Sequence, residues 1–201
     1  MSQRIVADLS SLPDSGFGSR TLIWWGVVGF ILIEGTAFVL GIGSYLFLMN
    51  HTTPWPPHRV PPALLISTIF TAVMLLSEIP NVWSGRAAHA ERQQQTRIGL
   101  VLMSALGLLL IGIRFAEFQT LNVGWDDNAY GSIVWALLFI HTTHVITDVA
   151  DTLVLTVYAL THELDRNHFS DVADNCLYWH FVAIAWLPIY LLLYWVPRLL
   201  K

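Results

Sequence analysis

The chain has 201 residues, 55% of them apolar and only 12% charged, with a mean hydropathy of +0.58. Soluble domains carry about 25% charged residues, so an ordinary soluble fold is excluded and a membrane protein is expected. The net charge of −4 gives no nucleic-acid signature, and the single cysteine, Cys176, allows no internal disulfide.

The first 20 residues are polar and lack the apolar core of a signal peptide, so residues 1–20 read as an N-terminal arm. Five apolar stretches then follow, each long enough to cross a bilayer, for which about 20 residues suffice. They run over about 21–49, 62–83, 96–120, 129–161 and 175–200. The connection from His51 to Pro62 is proline-rich and prolongs neither neighbouring helix. Residues 84–97 read as a polar, basic loop, 122–131 as an acidic turn, and 162–175 as a polar loop of mixed charge. Nine tryptophans, mostly near the ends of apolar runs, suit interfacial belts. The expected fold is an all-α integral membrane protein, a bundle of five transmembrane helices over residues 21–201.

Basic residues set the expected orientation. Arg4, Arg20, Arg86, Arg92, Arg97 and Arg166 fall on one side, and Arg59, Arg198 and Lys201 on the other. By the positive-inside rule this places the N-terminus in the cytoplasm and the C-terminus outside.

The fourth stretch carries His141, His144, Asp148 and Asp151 at i, i+3, i+7 and i+10. Helical spacing puts all four on one stripe, and ionisable groups at membrane depth should face protein or water. Glu34 lies near the middle of the first stretch, at a depth compatible with a contact to these histidines. Such a contact suits a proton-handling group, or an interhelical hydrogen bond that fixes packing. Arg114 and Glu117 form an i, i+3 couple suited to anchoring a helix end or a neighbour. Asp148 and Asp151 suit capping, water contact or pairing, with a proton antenna as the sharper reading. His141 and His144, with His180 and Glu34, offer donors a metal accepts, and His141 with His180 offers haem ligands. The spacing of bridged-carboxylate and zinc sites is lacking, as are nucleotide loops and triads.

Three ordered motifs carry a resemblance that covers nearly the whole chain from the first helix onward. GFILIEGTAFVLG resembles the helix of cytochrome c oxidase subunit III with a single buried glutamate. IRFAEFQ and AYGSIVWALLFIHTTHVI resemble the family's Glu-aromatic and His-x-x-His-Val-Ile run. YWHFVAIAWLPIYLLLYW is similar to its closing helix. Residue by residue, Glu34 takes the place of the buried glutamate and Glu117 that of the glutamate ending its helix. His141 and His144 match the histidine pair, and Trp179 with His180 the closing motif. Arg114 stands where a glutamine is usual, Thr142 and Thr143 replace a Gly-hydrophobic pair, and Ala183 replaces an acidic residue. The chain looks like the short, five-helix bacterial form, beginning at the family's third helix.

The resemblance implies a multi-pass subunit of the bacterial cell membrane without catalytic residues, cofactor or metal of its own. It would pack beside subunit I, which holds haem and copper, with subunit II and further subunits in the complex. It would bind phospholipid in a cleft that includes Glu34, Trp179 and His180, and support sustained oxygen reduction and proton uptake. Glu34 with the His141/His144 face would stabilise the wall of that cleft. Related small subunits of a nitric oxide reductase or quinol oxidase form the nearest alternative. A metalloprotein using the histidine stripe is an alternative of another class. A small transporter ranks last, because its paired Gly/Pro interruptions are not seen.

Overall fold

The computed structural model describes residues 22–52, 54–57 and 61–199. Helix α1, Leu22–His51, is followed by α2, Leu64–His89, α3, Gln93–Phe118, and α4, Ala129–Thr161. The last helix, α5, is continuous over Arg166–Leu199. All five are long and apolar enough to cross a membrane. The expected arm at residues 1–20 lies outside the described residues, as do Arg59 and Lys201.

Two expected loops are instead tight turns. Residues 84–89 continue α2, and α3 begins at Gln93. Arg, Ala and Gln here are polar or small but strong helix formers, so their polarity marks emergence from the bilayer and not the end of the helix. Glu91 adopts φ 52° in the intervening turn, closed by bonds from Ala90 N to Arg86 O and from Arg92 N to Ala87 O. Likewise α5 starts at Arg166, well before Asn175, because the Asp165 side chain caps it by accepting from His168 N at 2.9 Å.

α5 is central, packing against α1, α2 and α4, while α3 bridges α2 and α4. α1 packs mainly against α4 and α5 and leaves most of its surface exposed. Pro188 and Pro197 flank a π-helical segment, Leu191–Trp195, within α5. Each proline lacks the N–H that an α-helical bond needs, and the local rewinding places Tyr194 inside the bundle, fully buried. At the same end, Trp55 packs on Tyr45 and Tyr130 and donates to the Tyr45 hydroxyl at 3.0 Å.

Turns α2–α3 and α4–α5 share one end of the bundle. Arg97 there donates to Ala159 O at 2.5 Å and to His162 O at 2.9 Å. Arg86, Arg92 and Arg166 belong to that end, whereas Arg198 sits at the opposite end, bonded to Pro62 O at 2.5 Å.

Candidate functional site: the polar groups around α4

α4 presents its ionisable side chains to different neighbours, so the expected single stripe is divided. His141 turns to α3 and α5, His144 to α1, and Asp148 to α5, while Asp151 is exposed.

His141 belongs to a fully buried cluster. Arg114 Nη1 lies 2.6 Å from Glu117 Oε2, and the Tyr194 hydroxyl donates to Glu117 Oε1. Arg114 Nη2 donates to His141 Nδ1 at 3.1 Å, so the ring proton sits on Nε2, which donates to Val182 O at 3.1 Å. The guanidinium carbon also lies 3.7 Å from the Phe70 ring centre and 4.1 Å from that of Trp186, two rings that meet each other edge-on. Arg114, Glu117 and His141 are 1%, 0% and 0% exposed. A buried ion pair is tolerated when further hydrogen bonds and ring faces satisfy it. This couple therefore ties α3 to α4 and α5, and both ring nitrogens of His141 are engaged.

The second cluster joins α1 to the bundle. Glu34 Oε2 accepts from the Tyr178 hydroxyl at 2.6 Å, and Glu34 Oε1 lies 3.2 Å from His144 Nε2. The other ring nitrogen, His144 Nδ1, donates to Ile140 O at 2.6 Å. These side chains border a cavity of about 480 Å³ between α1, α4 and α5. Ile23, Val27 and Phe30 of α1 form an apolar wall, facing Thr147, Asp148 and Asp151 of α4 and Asp171, Asn175 and Tyr178 of α5.

Asp148, 2% exposed, accepts from Asn175 Nδ2 at 3.1 Å through Oδ1. Asn175 also donates to Asp151 at 3.1 Å and accepts from Thr152 at 3.2 Å. Thus one amide bridges the two aspartates of α4.

The closing motif differs from expectation. Trp179 is buried and donates to Ser77 Oγ at 2.9 Å, whereas His180 points outward, its side chain 52% exposed, with Nδ1 2.7 Å from Glu78 Oε2. Consecutive helical residues project about 100° apart, so an inward Trp179 sends His180 to the outside. Neither borders the cavity with Glu34; Tyr178 does. His141 and His180 therefore do not face one another as a haem pair would. Among the described residues, no three His, Cys, Asp or Glu side chains converge on a possible metal position.

Tyr178, Asn175 and Tyr194 complete these clusters but carry no distinguishing sequence signal. Glu78 and His180 stand within the apolar stretches 62–83 and 175–200, and nothing in their spacing pairs them.

Comparison with known proteins bears on the family the motifs resemble. A model of the family described as cytochrome c oxidase subunit III matches residues 48–197. "Cytochrome c oxidase subunit 3" of Artemia franciscana is 29% identical over 190 residues, covering 90% of this chain and 70% of the relative. The proteins of that name from Drosophila yakuba and Gallus gallus are each 26% identical, each alignment covering 85% of this chain and 68% of the relative.

Proposed function

The chain belongs to the cytochrome c oxidase subunit III family, and from that premise we propose that it is the accessory subunit III of a bacterial haem–copper terminal oxidase. As a family member it is a multi-pass membrane subunit of a multi-subunit oxidoreductase complex. In the proposed arrangement subunit I is its main neighbour and holds the haem and copper, subunit II completes the core, and this chain contributes no redox group. The observation that carries this reading is the engagement of both α4 histidines in internal bonds: His141 with Arg114 and Val182, His144 with Ile140 and Glu34. Such side chains fix helix packing.

The cavity beside Glu34 is the proposed phospholipid position, its apolar wall of Ile23, Val27 and Phe30 suited to an acyl chain. Trp179 and His180 are not part of it. Among the described residues, four arginines at the end of the α2–α3 and α4–α5 turns against Arg198 at the other support a cytoplasmic N-terminus in a bacterial cell membrane.

The role is supportive: holding the catalytic subunit in an active, lipid-bound state during turnover. A complex carrying Glu34→Ala should begin turnover at the normal rate and then lose activity sooner, with less bound lipid. Unchanged assembly, lipid content and active lifetime would contradict this role.

A further inference from the structure

The cavity between α1, α4 and α5 is one-sided in charge. The carboxyl groups of Glu34, Asp148, Asp151, Asp171 and Asp174 line it, and among the described residues no Lys or Arg does. The His168 ring, one turn before Asp171, is held by Asp165 at 2.5 Å. Carboxyls gathered around one space need protons or a cation among them.

Hydrogen bonding narrows what can answer them. The donors on the cavity wall are spent within the protein. Thr143 and Thr147 bond back to their own helix, Tyr178 to Glu34, and Asn175 Nδ2 to both Asp148 and Asp151. Acceptors remain. Asp148 is 2% exposed, and its Oδ2 has no hydrogen-bond partner among the described residues, a state that buried polar atoms rarely keep. A fitting ligand brings N–H groups and positive charge at one end. Its other part is an apolar stem to lie against Ile23, Val27 and Phe30.

We propose that this cavity selects an aminophospholipid, whose primary ammonium head donates to Asp148 and Asp151 while an acyl chain lies along α1. The inference deepens the lipid-binding reading of the same cavity and rests on it. Phosphatidylglycerol lacks the cation. Phosphatidylcholine carries the charge but has no N–H to donate, so both are disfavoured.

The test places a photo-crosslinking amino acid at Ile23 of the full chain, with its complex in vesicles of equal parts phosphatidylethanolamine, phosphatidylglycerol and phosphatidylcholine. Mass spectrometry identifies the lipid adducts. Phosphatidylethanolamine adducts should exceed each of the others about tenfold, the scale of one charge-assisted hydrogen bond. Asp148→Asn with Asp151→Asn keeps the shape but removes both acids, and should bring the adducts close to the vesicle composition. Wild-type adducts in proportion to that composition, as expected if protons alone neutralise the carboxyls, would overturn the selectivity and leave lipid binding standing. No lipid adduct at all would remove the lipid-binding reading as well. A preference that survives the double substitution would overturn the assignment to these aspartates. If the double variant does not assemble, Asp151→Asn alone, at the exposed member, decides it: a lowered ratio supports the proposal and an unchanged one overturns it.

Discussion

Glu34 Oε1 stands 3.2 Å from His144 Nε2, across the contact of α1 with α4. His144 Nδ1 donates to the Ile140 carbonyl, and the Tyr178 hydroxyl donates to the second carboxyl oxygen of Glu34.

Glutamine keeps an oxygen for the Tyr178 hydroxyl and brings an amide N–H to His144 Nε2. Glu34→Gln should therefore leave the melting temperature of the complex nearly unchanged. Glu34→Leu should cost about 1–3 kcal/mol by leaving the Tyr178 and His144 groups unpaired. Thermal unfolding of the purified complex measures both. A Gln variant as damaged as the Leu variant would show that the pair needs a mobile proton and not a packing bond.

Arg114 neutralises a carboxylate that has no water to turn to. Arg114→Met should strand Glu117 and cost about 3–5 kcal/mol, and adding Glu117→Gln should recover a large part of it. Unfolding of single and double variants gives the coupling directly; additive losses would mean the two side chains do not act as a pair.

α3 and α4 approach through a glycine. A Cβ at Gly107 would meet Val149 Cγ2 at 2.5 Å, so Gly107→Ala should push the helices apart at about 1–3 kcal/mol. Trimming the neighbour with Val149→Ala should relieve the clash. A double variant less stable than Gly107→Ala would show that the two helices do not meet at this point.

At the α4–α5 turn, the backbone N–H of His168, and then its ring, hold the Asp165 carboxyl below its usual range. A depressed folded pKa contributes stability present above the unfolded value, about 3.9, and lost as pH falls through the folded one. The protection of amides 167–169, relative to their intrinsic exchange rate at each pH, should therefore fall below about pH 3.9. Asp165→Asn keeps the cap without the titration, so its protection should stay flat over that range; a matching acid response in both would remove the cap from the explanation.

The five spans were legible because apolar length is a strong signal and Glu34, Glu117 and the two histidines interrupt it conspicuously. Helix ends were less so: Arg86 to His89 and Arg166 to Asn175 are polar yet helical, and polarity alone does not separate a helix leaving the bilayer from a loop. Spacing placed His141 and His144 on one face but left open which neighbour each would meet. That depended on Arg114 reaching across from α3 and on α1 leaning against α4, both set by packing. Tyr178 and Tyr194 gave no advance sign, since their roles arise from the helices that happen to face them.

The most direct test of the account is purification in mild detergent through a tag on this chain, with an optical spectrum and metal analysis of what accompanies it. Larger subunits carrying haem and copper are expected, with neither bound to this chain after it is separated from them. Haem with non-haem iron in the companions would assign the chain to a nitric oxide reductase instead, and metal or haem held by the isolated chain would contradict the accessory role outright.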